Sequence, residues 1–362
     1  MKITISEKRI WLFVVIALLF KIALFIYYKM FITGTIFGGG NDADYYHLYA
    51  LGDFNVAVNY WPIILRFLNE MGYYNRNVIT WITFVTSITL QPYLYYKMVK
   101  IQADEIKPVM AGSFFLIVFY PTMFYLTIDI FREVYMFTVL LLCLLLYKKF
   151  LETNWQKTYV YFLIYLGLTY FLYLMRPYLG FSLALTPFVY LIFLKTKRYF
   201  KIWLILYFVT LILVNIYGGV DDLLMYRDNF KHWESGKTAM GIGLLNKGPI
   251  MFFFYYLYSV LGQLFGLFLV SLNAIFVFLF ESVPFILATI YLFKNIEFMT
   301  KFVSFLITFF VIYSTIWLLG NDNLGTAVRL RIPSYLVIFA SMFIVYQTKV
   351  VLGYKKTNNS DL

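Results

Sequence analysis

The chain has 362 residues, 62% of them hydrophobic and only 13% charged, with a mean hydropathy of +0.77 and a formal net charge of +12. A soluble domain carries about a quarter charged residues, so this composition excludes a soluble globular protein. Apolar runs of about 20 residues, each enough to cross a hydrocarbon core of roughly 30 Å, recur along the chain and are apolar on every side, as over 134–147 and 302–319, instead of alternating like barrel strands. The expected fold class is therefore all-α: a polytopic transmembrane helical bundle forming a single integral membrane domain over residues 1–362.

Ten spans are expected, near 10–31, 78–97, 108–126, 133–147, 158–175, 178–194, 202–217, 269–293, 302–319 and 332–348. The first is too long for a signal-peptide core and lacks a small-residue cleavage site, so it is expected to be retained. Dense basic groups such as Lys195, Lys197, Arg198 and Lys201 favour an orientation with both termini cytoplasmic. Seven of the nine arginines (Arg66, Arg76, Arg132, Arg176, Arg227, Arg329 and Arg331) then fall on the outer side, where topology gains nothing from positive charge. Arginine offers a planar fork of donors that grips phosphate or carboxylate bidentately, so this bias points to an anion site. The competing reading is interfacial snorkelling or pairing with outer acids. The basic residues are scattered over many short loops, which argues against nucleic-acid binding. Cys143 is the single cysteine, so neither an internal disulfide nor a cysteine metal cluster can form.

After the first span, an outer loop over 33–77 carries Gly38-Gly39-Gly40-Asn41-Asp42-Ala43-Asp44-Tyr45-Tyr46-His47. Glycines let the backbone approach a ligand, and carboxylates at i, i+2 suit a general base or a divalent cation, Mg or Mn, held through oxygens beside a phosphate. The plainer reading of Asp42 and Asp44 is an Asx-type turn capping the next helix. His47 is a candidate proton shuttle, although a lone histidine in a polar loop is more often a surface residue. The only other histidine is His232, so a histidine-rich metal site is excluded, and the sequence itself requires no cofactor. Residues 60–68 are mildly amphipathic and are expected to fold back as an interfacial helix.

Asp129, Arg132 and Glu133 cluster at an outer mouth; on a helix, their i, i+3 and i, i+4 spacings share a face, giving either a brace or a ligand contact. Arg176-Pro177 ends one helix and opens the next, presenting Arg176 without a nearby acidic partner in sequence. The long outer loop over 218–249 mixes Asp221, Asp222, Arg227, Asp228, Lys231, His232, Glu234, Lys237 and Lys247; most read as solvated surface, with Arg227, Lys231 and Lys237 placed to grip an acceptor. The apolar stretch 250–268 is expected to return to the same side as a re-entrant or membrane-surface helix. An Arg-rich outer loop over 320–333 presents Arg329 and Arg331 just before Pro333; with Arg176 these are the strongest anion-binding candidates. Lys21 and Glu281 lie inside spans, where Lys21 snorkels or pairs and Glu281 braces helices.

The acidic first loop (Asp42-Ala43-Asp44-Tyr45-Tyr46, then Tyr49-Ala50), Arg132-Glu133, Arg176-Pro177 and the Arg-x-Arg-x-Pro from Arg329 to Pro333 resemble bacterial polytopic enzymes of surface-glycan assembly. Two groups fit: GT-C-type glycosyltransferases that use polyprenyl-phosphate sugars, and Wzy-type O-antigen or capsule repeat-unit polymerases. The first resemblance implies that Asp42 or Asp44 deprotonates the acceptor hydroxyl; the second implies that Arg176, Arg329 and Arg331 hold the pyrophosphate of a lipid-linked donor. The resulting expectation is a multi-pass glycosyltransferase of the bacterial cytoplasmic (inner) membrane, acting at the extracytoplasmic face in polysaccharide biosynthesis. Its catalytic candidates are Asp42, Asp44 and His47; its phosphate-binding candidates Arg132, Arg176, Arg329 and Arg331; its acceptor-binding candidates Tyr46, Glu133, Arg227 and Lys231. The implied partners are a polyprenyl-linked sugar donor, a glycan acceptor, membrane lipid, and a glycan flippase or chain-length regulator. The rival reading is a transporter or flippase of lipid-linked or anionic substrates, which predicts ionisable residues at the membrane midplane and inverted-repeat symmetry. A non-catalytic partner of a synthase complex is the third.

Overall fold

The computed structural model describes residues 7–31, 41–101, 107–153, 155–196, 200–229 and 239–360. Among these, helices follow in the order α1 (Glu7–Phe31), α2 (Asn41–Leu51), α3 (Tyr60–Glu70), α4 (Arg76–Ile88), α5 (Leu90–Val99), α6 (Lys107–Phe119), α7 (Pro121–Tyr125), α8 (Glu133–Glu152) and α9 (Trp155–Met175). Then come α10 (Pro177–Thr196), α11 (Phe200–Ile216), α12 (Asp221–Asn229), α13 (Pro249–Ser259), α14 (Leu272–Val277), α15 (Val283–Lys294), α16 (Lys301–Gly320) and α17 (Leu324–Ser360). Extended pairing among the described residues is limited to a single bridge between Ala239 and Asn323. The all-helical expectation holds.

Among the described residues, five helical stretches are long and apolar enough to cross a membrane: Lys8–Phe31, Glu133–Glu152, Leu272–Lys294, Lys301–Gly320 and Leu324–Leu352. A sixth arises if Ile205–Ile216 and Asp221–Asp228, bent by 77°, form one broken span. Tyr159–Met175, Pro177–Ile192 and Pro249–Leu264 are shorter apolar helices. Two expected spans are interrupted. The one over 78–97 breaks at Thr89, between α4 and α5, and the one over 108–126 breaks at Tyr120, because Pro121 pushes the residue before it out of the helical region. The expected loop over 320–333 is a correction of the opposite kind: α17 begins at Leu324 and runs through Pro333, so Arg329 and Arg331 are helical. Proline removes one backbone donor, and the rest of this long helix tolerates the loss.

Two compact units divide the described chain, one formed by the residues up to Gly180 together with those from Phe343 onward, the other by Phe181–Met342. In the first, α1 packs on α6, α5 lies against α6 and α8, α8 pairs with α9, and α2 packs on α3. Phe25 of α1 stacks on Phe84 of α4 with ring centroids 4.0 Å apart, and Ile128 completes this apolar knot. Asn59 caps α3, accepting from the Trp61 amide at 3.0 Å, and Asn75 caps α4, accepting from the Asn77 and Val78 amides. The amphipathic helix expected from Tyr60 is therefore present. The Trp61 indole donates to the Ile130 carbonyl at 2.8 Å, tying α3 to the segment that leads into α8.

The carbonyl end of α5 is closed by side chains from far along the chain. Lys148 Nζ donates to the Met98 and Lys100 carbonyls at 3.0 and 2.6 Å, and Gln347 donates to the Val99 carbonyl at 3.1 Å. These satisfy carbonyls that a helix end leaves open. At the α9–α10 hairpin, a Cβ on Gly180 would run into the backbone of Tyr173, so glycine lets the two helices of the hairpin close.

In the second unit, α16 packs against α12 and α13, and α13 also packs on α11. Two π-helical turns, Val260–Leu264 and Phe278–Ser282, interrupt its helices. The turn after the first uses Gly266 at φ +69°, where the Ser282 hydroxyl and the Arg331 guanidinium leave no room for a side chain.

Candidate functional site

In the first unit, one set of ionisable groups lies at the starts of α2, α4 and α8 and at the α9–α10 junction. Asp42 and Asp44 occupy the first turn of α2, where negative charge complements the helix dipole. Asp44 reaches Arg76, the first residue of α4, whose Nη2 donates to Asp44 Oδ1 at 2.7 Å and to Asp129 Oδ2 at 2.6 Å. The Arg76 Nε donates to Asp129 Oδ1 at 2.9 Å, and the same oxygen accepts from the Ile130 amide at 2.8 Å. His47 Nδ1 and the Tyr74 hydroxyl are 2.9 Å apart. Burial, reinforced by the Arg76 charge, lowers the His47 pKa, while burial pushes the Tyr74 hydroxyl up to about 12. A neutral phenol donating to a neutral imidazole satisfies both shifts.

Arg132 immediately precedes α8, and Glu133 is the first residue of that helix. Arg176, just before Pro177 opens α10, donates from Nη2 to Glu133 Oε1 at 3.0 Å, with both side chains buried. Arg132 Nη1 donates to the Met175 carbonyl at 2.9 Å, the last residue of α9, so the two arginines flank one carboxylate. Arg132 Nε lies 4.0 Å from Glu133 Oε1, outside hydrogen-bond range, and is buried without a hydrogen-bond acceptor among the described residues. A buried donor left unmade costs roughly 1–3 kcal/mol and calls for a reason. Tyr46, on the inward side of α2, has a buried ring. Burial pushes its hydroxyl up to about 12; among the charges it feels are Arg132, Glu133, Asp42 and Arg176. These five residues therefore share one electrostatic neighbourhood.

No protein family, curated protein or solved structure matches the chain. What the site can do must be argued from its own geometry.

Of the residues expected to act together, Asp42, Tyr46, Arg132, Glu133 and Arg176 all belong to the first unit, where Arg132 and Arg176 flank Glu133. Asp44 and His47 lie on the same helix, engaged by Arg76 and Tyr74. Arg227, Arg329 and Arg331 belong to the second unit, and Lys231 falls outside the described residues, as do His232, Glu234 and Lys237. Arg227, expected among the acceptor-binding residues, is enclosed by the protein. Fully buried, it donates from Nε to the Ile242 carbonyl at 3.0 Å, from Nη1 to the Leu318 carbonyl at 2.7 Å, from Nη2 to Asp322 Oδ1 at 2.7 Å, and from both Nη atoms to Ser259 Oγ. All five guanidinium N–H groups are thus used inside the protein, and Arg227 is a brace. Gln263 extends the brace, donating to Ser259 Oγ at 2.7 Å and to the Asn321 carbonyl at 2.8 Å.

Arg331 is buried too. Its Nη1 donates to Ser282 Oγ at 3.3 Å, its Nη2 stands 3.9 Å from Glu281 Oε2, and its guanidinium lies over the Tyr335 ring. Arg329 is half-buried on α17. Sequence reasoning placed Arg76 and Asp129 on the outer side without joining them, and missed Tyr74. The capping asparagine before Arg76 marks a helix start, and nothing local marks its partners.

The described residues contain no group of three histidine, cysteine or acidic side chains suited to a metal ion. Asp44 and Asp129 are brought together across the Arg76 guanidinium, which engages both. This donor set does not fit a divalent cation while Arg76 holds it.

Proposed function

We propose that the chain transfers a sugar or oligosaccharide from a polyprenyl-(di)phosphate donor to an acceptor hydroxyl at the outer face of a bacterial inner membrane. The observation that carries the reading is the buried Nε of Arg132, without an acceptor among the described residues, on a guanidinium that with Arg176 flanks Glu133 and lies within the same neighbourhood as Asp42 and Tyr46. An anionic phosphate oxygen would satisfy that donor. In the transfer, Asp42 takes the proton of the acceptor hydroxyl while its oxygen bonds to the anomeric carbon. The bond from that carbon to the phosphate oxygen breaks, and Arg132 and Arg176 meet the charge that develops on the leaving phosphate. Asp44, already paired with Arg76, holds α2 in this reading, and Tyr46 positions the acceptor.

The topology proposed with this function has ten spans and both termini cytoplasmic. Besides the five long helices and the bent α11–α12 pair, the spans are α9, α10 and the broken pairs α4–α5 and α6–α7, with α13 re-entrant. The test is conversion of lipid-linked glycan in membranes carrying Asp42→Asn, Arg132→Ala or Arg176→Ala, with insertion checked for each. Loss of conversion in all three supports transfer, and normal conversion in all three sinks it. A transporter or flippase is the second reading, favoured by Glu281 and Arg331, both buried within stretches of spanning length. Movement of lipid-linked substrate that depends on Glu281, without glycan transfer, would favour it.

A further inference from the structure

We propose that Arg76 is a positioning residue standing where a divalent cation would otherwise bridge Asp44 and Asp129. One nitrogen, Nη2, lies within hydrogen-bond distance of both carboxylates, at 2.7 and 2.6 Å, and Nε makes the second bond to Asp129 at 2.9 Å. Two carboxylates that converge on one atom repel unless a positive charge sits between them. A hard divalent ion meets that demand through carboxylate oxygens; here a planar guanidinium meets it from within the chain.

The clasp joins three pieces of backbone that are far apart in sequence: the first turn of α2, the start of α4 and the segment before α8. Its Asp129 end is fixed twice more. Ile130 donates its amide to Asp129, and its carbonyl accepts the Trp61 indole of α3. What the clasp holds is therefore the acidic turn of α2, with Asp42 two residues before the clasped Asp44. An internal cation of this kind is present whatever the metal supply outside, and it also disfavours the charged form of the neighbouring His47.

Manganese binding to the full chain in detergent micelles, followed by electron paramagnetic resonance, tests the assignment. The wild type is expected to show no saturable Mn²⁺ site that depends on Asp129, whereas Arg76→Ala and the bulkier Arg76→Gln should each bind Mn²⁺ at least about tenfold more tightly. Adding Asp129→Asn to either variant should abolish the gain. A wild-type Mn²⁺ site that disappears with Asp129→Asn overturns the proposal, and so does a folded Arg76 variant that gains none. The wild-type arm does not depend on insertion of the Arg76 variants, because a wild-type Mn²⁺ site that requires Asp129 overturns the proposal by itself. The positioning role rests on the transfer reading above: Mn²⁺ should restore glycan transfer to Arg76→Ala, and binding without restoration overturns that role. Absence of transfer in the wild type sinks the transfer reading and leaves the manganese result standing.

Discussion

Arg176 Nη2 donates to Glu133 Oε1 at 3.0 Å between two buried side chains, joining the α9–α10 hairpin to the start of α8. Removing one partner of a buried ion pair typically costs about 3–5 kcal/mol, because the other charge is left uncompensated. Arg176→Ala is expected to lose stability on that scale in detergent thermal unfolding. The double variant Arg176→Met/Glu133→Leu should recover much of the loss, and failure to recover would mean that the pair does not act as a unit.

Arg132 should behave in the opposite proportion. Among the described residues it makes a single hydrogen bond, to the Met175 carbonyl, worth about 1.5–3 kcal/mol for a charged donor. Arg132→Ala is therefore expected to unfold less easily than Arg176→Ala, while lowering glycan transfer about 10²-fold or more, the loss expected of a donor aimed at developing charge. Parallel unfolding and transfer measurements on the two variants check the order.

Acid should weaken the first unit through His47. Folding lowers its pKa below the ordinary value of 6.5, chiefly by burial, so the unfolded chain binds the proton more readily. The stability contributed by neutral His47 is complete above 6.5 and declines as the pH falls through that value towards the lower folded pKa. A His47→Gln variant should show a flatter stability profile between pH 7 and about 5; an unchanged slope would assign the acid sensitivity elsewhere.

Gly180→Ala should damage the α9–α10 hairpin without touching any charged group, since the added methyl meets the Tyr173 backbone. Overpacking of this kind costs about 1–3 kcal/mol. The check is thermal unfolding, and an alanine variant as stable as the wild type would show that the hairpin can open to accept it.

In the second unit, Asp322→Asn leaves the fully buried Arg227 without its counter-charge. Burial works to raise the Asp322 pKa and Arg227 opposes it. The expected result is a fall in folded yield, with a stability loss of about 3–5 kcal/mol. Because Arg227 is a brace, whatever protein does fold should keep its specific activity; loss of activity at full stability would return Arg227 to the substrate.

Features carried by neighbouring residues were legible in the sequence. The amphipathic run from Tyr60, the Arg176-Pro177 corner and the acidic turn at Asp42 all appear where their local signals put them. The helical class was equally plain, because runs such as 302–319 are apolar on every side. Prolines were ambiguous: Pro121 broke a helix where a span was expected, while Pro333 sits inside one where a loop was expected. Isolated local chemistry cannot separate these cases, because a proline is tolerated when packing on the rest of the helix outweighs one lost bond. The pairings Arg76–Asp129 and Arg227–Asp322 link residues 53 and 95 positions apart. No local pattern encodes such a partner, so arginines that read as open anion sites could turn out to be internally committed.

The closure of the α5 carbonyl end by Gln347 bears on the order of synthesis. Gln347 lies 248 residues after Val99, which at ~5–20 residues per second is roughly 10–50 s of translation. Until then the Val99 carbonyl must find another donor, and the earliest-made unit waits for residues that leave the ribosome after the whole of the second. A lesion near Gln347 would thus be felt first in the part of the protein encoded at the opposite end of the message.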